Sequence, residues 1–237
     1  MIPPEIETLR AALRSTHNRD SLDRDPLDRW GRGHRRPAQL PGQGRQAAVL
    51  CLIFPLQNNW TALESLEASV PLDWEASESD SLGILLTRRA EHLGRHAGQI
   101  SFPGGRQDPG ESLEQTAKRE TWEEVGLPPV DLDLLGPLLS VYVPPTDFTV
   151  TPFVAWCPRI TRLVPDVREV DRLIVTSVES LRRPETLQWG KIAGQSDYFS
   201  QAPFFQIGQH QVWGATGRMI SDLISRPELS GGSHDPH

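Results

Sequence analysis

Lysine is nearly absent from this chain: of 24 basic residues in 237, only Lys118 and Lys191 are lysine and the rest are arginine. Arginine offers a planar, permanently charged fork that matches phosphate; a GC-rich genome produces the same bias. Cysteine is equally scarce. Cys51 and Cys157 sit in apolar runs without metal-type spacing, which excludes a disulfide-stapled scaffold and points to a reducing compartment. No stretch approaches about 18 continuous apolar residues, and the opening MIPPEIETLRAALRS carries acids and no apolar signal core. Neither a membrane partner nor secretion is therefore expected, and the expected location is cytoplasmic. A formal net charge of −7 argues against general DNA or RNA binding, while a local basic patch could still steer a small anionic substrate. Composition leaves homo-oligomer formation open.

The length fits one domain with extensions. Residues 3–15 read as an amphipathic helix with Ile6, Leu9 and Leu13 on one side. Residues 19–46 mix arginine with Gly, Pro and Asp, which suits either a leader wrapped over the surface or an RNA-binding arm. The expected organisation is a helix and Arg-rich leader over 1–45, a folded domain over 46–226, and a disordered Gly/Ser-rich tail over 227–237. Inside the domain, AAVLCLIF at 47–54 has the continuous apolarity of a strand buried on both faces. Further strands are expected at 83–88, 99–102, 133–140, 149–156 and 170–175, a closing helix at 214–224, and a mobile polar insertion at 57–81. This mixture predicts an α/β/α sandwich around a mixed β-sheet.

Chemistry concentrates in GRQDPGESLEQTAKRETWEEVGL, residues 105–127. Glu120, Glu123 and Glu124 fall at i, i+3 and i+4 of a helix, sharing an arc of roughly 100°, where like charges each cost a few tenths of a kcal/mol. Lys118 and Arg119 could offset that repulsion on an ordinary solvated face. So could a hard divalent cation, since Mg²⁺ is often held by one or two carboxylates together with substrate phosphates. Gly104 and Gly105 let backbone approach the helix start, and Gly126 supplies its stop. Upstream, Arg88, Arg89, Arg95 and Arg106 face a single acid, Glu91, with His92 and His96 interspersed. That basic island is either a solvated connection or a phosphate-binding surface.

The segment resembles the Nudix hydrolase signature G-x5-E-x7-R-E-U-x-E-E-x-G-U, in which U is a bulky aliphatic residue. Gly105, Glu111, Arg119, Glu120, Glu123, Glu124, Gly126 and Leu127 match it, and Thr121 stands at the first U position with a hydroxyl that needs a partner. Residues 85–105 resemble the second motif of the coenzyme A pyrophosphatase branch. Leu85, Leu86, Thr87 and Arg89 give LLTxR; His96, Gly98 and Gln99 give HxGQ; Phe102, Pro103, Gly104 and Gly105 give FPGG; Gly94 stands where that branch often carries another basic residue.

The likeness spans roughly residues 46 to 225. It implies the α/β/α architecture and hydrolysis of the diphosphate of coenzyme A or a derivative to 3′,5′-ADP and 4′-phosphopantetheine, with Mg²⁺ as cofactor and Mn²⁺ able to substitute. It further implies metal ligation by Glu120 and Glu124, with Glu123 and the Gly104 carbonyl, and orientation of the acids by Arg119. Glu111 would anchor the helix start, where the dipole favours a carboxylate, and Gly105 and Gly126 would be structural. Arg88, Arg89, Arg95, His96, Gln99 and Arg106 would bind the small-molecule substrate. The family draws its general base from the helix, where Glu123 is the first choice, or from a later loop, where Glu169 in DVREVDRL is the candidate. Glu169 reads equally as a surface carboxylate paired with Arg168 or Arg172. Rival readings are a Nudix hydrolase of ADP-ribose, NADH or an oxidised nucleotide, or a catalytically silent nucleotide- or RNA-binding regulator.

Overall fold

The apolar run at 47–54 becomes the centre of the molecule. In a computed structural model that describes residues 2–15, 44–57, 70–76, 81–93, 97–160, 163–193 and 201–229, it forms β1 (Arg45–Pro55), buried on both faces. Two further strands carry the sheet outward on one side: β2 (Leu72–Glu75) and β3 (Leu82–Arg89). Two short ones, β4 (Ile100–Ser101) and β5 (Gly104–Arg106), follow. After the helix of the acidic cluster come β6 (Asp133–Pro137), β7 (Val141–Val143), β8 (Phe148–Trp156) and β9 (Val170–Ser177). The strand order is β2-β9-β3-β1-β8-β6, with β4 on β3, β5 on β1 and β7 on β8. Parallel β1/β8 and β2/β9 pairs among antiparallel neighbours make the sheet mixed.

Alternation along β1 sends Leu50, Leu52 and Phe54 to one core and Cys51 and Ile53 to the other. The first core is covered by α2 (Leu113–Val125) through Ala117 and Val125. The second is covered by α1 (Pro4–Ser15) and α4 (Gly214–Ile224), and by a three-stranded antiparallel sheet of β10 (Leu187–Gly190), β11 (Ala202–Ile207) and β12 (His210–Trp213). A short helix, α3 (Val178–Arg182), follows β9. The expected α/β/α sandwich is the fold.

Several boundaries differ from expectation. The N-terminal helix forms with the apolar side expected of it, and that side is built into the domain: Ile6, Leu9 and Leu13 are fully buried in the second core, and Arg10 forks onto Asp133 at 2.9 and 2.5 Å. Within the expected insertion at 57–81, residues 72–75 are a strand, because Asp73 finds partners distant in sequence: Arg172 at 2.6 Å and His210 at 2.5 Å. The tail begins with an ordered turn at Pro227–Leu229 that buries Leu229. Arg182 explains that turn, since its guanidinium donates to the carbonyls of Ile224, Arg226 and Leu229 at 2.8 to 2.9 Å. The strand expected at 133–140 stops at Pro137, and β7 starts separately. The arginine-rich stretch from 16 to 43, Arg95, His96 and the last eight residues lie outside the described residues.

Candidate active site

The helix α2 is fixed at both ends by its own sequence. Ser112 and Gln115 form a reciprocal capping box: the Gln115 N–H donates to Ser112 Oγ at 3.2 Å and the Ser112 N–H to Gln115 Oε1 at 2.8 Å. Two orphan amides are thereby satisfied. At the other end Gly126 adopts φ 70° and donates its N–H to Trp122. A Cβ there would come within 2.9 Å of the Val164 backbone, so glycine is required by conformation and by space. The Thr121 hydroxyl bonds back to the Ala117 carbonyl at 2.7 Å, which satisfies the polar atom that a hydrocarbon would lack.

Glu111 sits just outside the helix and folds back on it. Its carboxylate takes two N–H donors from Arg119, at 2.9 and 3.0 Å, the Thr116 hydroxyl at 2.8 Å and the Asp108 amide at 3.3 Å. The Arg119 guanidinium foremost, then Thr116 and Asp108, holds the Glu111 carboxyl down at about 2. Held from below, Arg119 turns Nη1 to Glu120 at 2.8 Å and Glu123 at 3.1 Å. Thr116, fully buried, gives little sign of this role in the sequence; its signal is a hydroxyl at N4 of a capped helix.

The three helix carboxylates occupy different environments. Glu123 is mostly exposed. Glu120 is half-buried, and desolvation raises its pKa despite Arg119, with Glu123 and Glu169 adding to the rise. Glu124 is 6% exposed; burial foremost, then the charges of Glu120 and Glu169, pushes it up to about 8 against the single N–H that Gly104 donates at 3.2 Å. Gly104 has φ 153° and a Cβ there would lie 2.3 Å from the Ala48 carbonyl. At Gly105 a Cβ would fall 2.5 Å from the Glu120 carboxylate. The Gly-Gly pair thus lets β5 pass directly beneath the acids.

Two loops complete the surroundings. Glu169 approaches Glu120 and Glu124 closely enough to raise both pKa values, and its carboxylate lies 3.9 Å from Arg89. It is paired with neither Arg168, which binds Asp166 at 2.6 Å, nor Arg172, which binds Asp73. Among the described residues of the basic island, Arg89 is the member whose charge reaches Glu124. Arg88 instead forks onto Asp171 at 2.7 and 2.9 Å, and its charged neighbours are Asp171, Glu91 and Asp73. Strand alternation separates the two arginines. Gln99 carries the backbone that closes the island's base, its carbonyl accepting the Arg89 N–H at 3.0 Å. Arg106 is exposed and lends its carbonyl to Arg119 at 3.2 Å.

Buried and half-buried carboxylates with few donors fit a divalent cation, which would remove the desolvation and repulsion that raise Glu120 and Glu124. Among the described residues no three His, Cys, Asp or Glu side chains are grouped closely enough to hold a metal ion by themselves, so an ion here would depend on further oxygens from water and substrate.

A mixed sheet clasped between helices, with a carboxylate cluster and its orienting arginine on one of them, defines the class. The NUDIX domain family matches residues 74–193, about half the chain. The chain is 47% identical over 148 residues to the uncharacterized Nudix hydrolase NudL of Yersinia enterocolitica, covering 62% of this chain and 74% of that protein. It is 34% identical over 159 residues to the mitochondrial coenzyme A diphosphatase NUDT8 of Homo sapiens, covering 62% and 67%. Nudix hydrolase 3 of Caenorhabditis elegans is 43% identical over 96 residues, which is 40% of this chain and 37% of that protein. Among solved structures, the M. smegmatis Nudix hydrolase RenU aligns with a TM-score of 0.41 at 24% identity, over 58% of this chain and 73% of that one. This chain belongs to the Nudix hydrolase family and is an enzyme of that family. Among the described residues, no helix is long and apolar enough to cross a membrane.

Proposed function

We propose that this enzyme hydrolyses the diphosphate of coenzyme A or a coenzyme A derivative, releasing 3′,5′-ADP and 4′-phosphopantetheine or its acylated form. The observation that carries the reading is Arg89, the LLTxR arginine, standing beside Glu124 and Glu169 in a chain 34% identical to a coenzyme A diphosphatase. Glu120 and Glu124, with Glu123 and the Gly104 carbonyl, would hold Mg²⁺ or Mn²⁺. The bound ion would supply charge neutralisation of the diphosphate and a lowered pKa for water.

The chain's own contribution is positional. Arg119, braced by Glu111, keeps Glu120 and Glu123 on one side of the helix. Arg89 takes a phosphate oxygen, and Gln99, Arg106, Arg95 and His96 are the remaining contacts; Arg88, committed to Asp171, is left out. Glu169 accepts the proton of the attacking water at its carboxylate, with Glu123 as the substitute if Glu169 is dispensable. Two buried, free cysteines support action in a reducing, cytoplasmic setting.

The test is a panel of coenzyme A, dephospho-coenzyme A, ADP-ribose, NADH and nucleoside triphosphates, each incubated with Mg²⁺ and read by product mass. Fastest turnover of coenzyme A with 3′,5′-ADP as product supports the reading. Preference for ADP-ribose or NADH overturns the substrate, and no turnover of any member overturns hydrolysis.

A further inference from the structure

The turn that carries Glu169 is organised by one residue. Asp166 donates its N–H to the carbonyl of Glu124 at 3.0 Å, and its own carbonyl accepts the N–H groups of Glu169 and Val170 at 2.9 and 2.8 Å. Its side-chain Oδ1 accepts the Arg168 N–H at 2.9 Å. Just before it, the Val164 N–H meets the Val125 carbonyl at 2.8 Å, and just after it the Glu169 carbonyl accepts from Ala90 at 2.8 Å. One short span therefore links the last turn of α2, through Glu124 itself, to the residue after Arg89.

A carboxylate accepting the amide two residues on is an Asx turn, which fixes a chain reversal without needing a core. That matters here because packing anchors only the ends of the span, at Leu163, Pro165 and Val170, while Val167, Arg168 and Glu169 at its tip are exposed. The guanidinium of Arg168 also binds Asp166, at 2.6 to 3.1 Å, but Arg168 is 85% exposed and such a pair contributes little. The backbone acceptor role is the part that fixes geometry.

We propose that Asp166 is a positioning residue that sets the Glu169 carboxylate at its working distance from the helix carboxylates and acts on the reaction only through Glu169. This rests on the reading of Glu169 as the base.

The test uses full-length enzyme, Mg²⁺ and whichever diphosphate of the panel the wild type turns over fastest. Asp166→Ala should lower kcat by about 10- to 100-fold, part of the 10²- to 10⁴-fold worth of a positioned base, with KM within about threefold. Amide exchange at Glu169 and Val170 should quicken. Asp166→Asn keeps the Oδ1 acceptor and should restore both quantities. The double variant Asp166→Ala/Glu169→Gln should be no slower than Glu169→Gln alone. A wild-type kcat for Asp166→Ala beside a slow Glu169→Gln overturns the positioning role and leaves the base intact, as does an Asp166→Asn as slow as the alanine variant or fully additive losses in the double variant. A wild-type kcat for Glu169→Gln overturns the base assignment and the positioning role with it.

Discussion

Arg119 Nε and Nη2 both donate to the carboxylate of Glu111, at 2.9 and 3.0 Å, so a residue outside the helix sets the guanidinium that faces Glu120 and Glu123. Glu111→Gln should break this fork and cost roughly 1.5 to 3 kcal/mol, the range for hydrogen bonds to charged groups. The folded-state pKa of about 2 lies below the ordinary 4.5. A depressed carboxylate contributes stability above the unfolded value, lost as pH falls through the folded one. Denaturant midpoints should therefore differ most between wild type and variant near neutral pH and converge between about pH 4.5 and about pH 2. A gap that stays constant over that window counts against the pair.

Glu124→Gln should separate stability from activity. In metal-free protein above about pH 8, where this buried carboxyl ionises with one hydrogen-bond donor, the variant should melt at or above the wild-type temperature, and with metal it should lose most of its turnover. Added Mg²⁺ should raise the wild-type Tm by mass action and leave the variant unmoved. An equal Mg²⁺ response in both would remove Glu124 from the ligand set.

Arg89 and Arg88 should behave oppositely despite being neighbours. Arg89→Ala should lower kcat/KM by about 10- to 100-fold, the loss of a charge-assisted bond of roughly 1.5 to 3 kcal/mol, with unchanged stability. Arg88→Ala strands Asp171 and should lower the unfolding free energy with little effect on kcat/KM. Paired kinetics and denaturation decide it, and a reversed pattern would return Arg88 to the substrate.

Arg182 should matter far from the acids. Its three bonds to the carbonyls of Ile224, Arg226 and Leu229 satisfy backbone acceptors at and after the end of α4. Arg182→Met should cost about 2 to 4 kcal/mol by losing several such bonds at once, seen as a lower urea midpoint. An unchanged midpoint would show that water serves these carbonyls equally well.

What was legible in the sequence had its cause nearby. The 3.6-residue spacing of Ile6, Leu9 and Leu13, the unbroken apolar run of β1, and the glycines bracketing the acids each determine their element locally. The second sheet leaves little trace in the sequence because LQWG and HQVW are short and partly exposed, so neither shows a clean period of two. The strand LDWE is hidden because Asp73 belongs there only once Arg172 and His210, 99 and 137 residues on, arrive beside it. At the site, the signature residues were readable as a group, while the division of labour between Arg88 and Arg89 was not. That division depends on which face of β3 each occupies and on Asp171 across the ladder.

The Glu120 carboxylate fills the volume that any Cβ at position 105 would need. The two positions are therefore coupled: what obstructs position 105 is the end of a flexible side chain, so an alanine there displaces the Glu120 carboxylate from its place against Arg119. A shorter residue at 120 leaves room for a side chain beneath it without that displacement. A single methyl group at 105 would therefore register as a shift of the acid at 120, which ties the identity of one position to the geometry of the other.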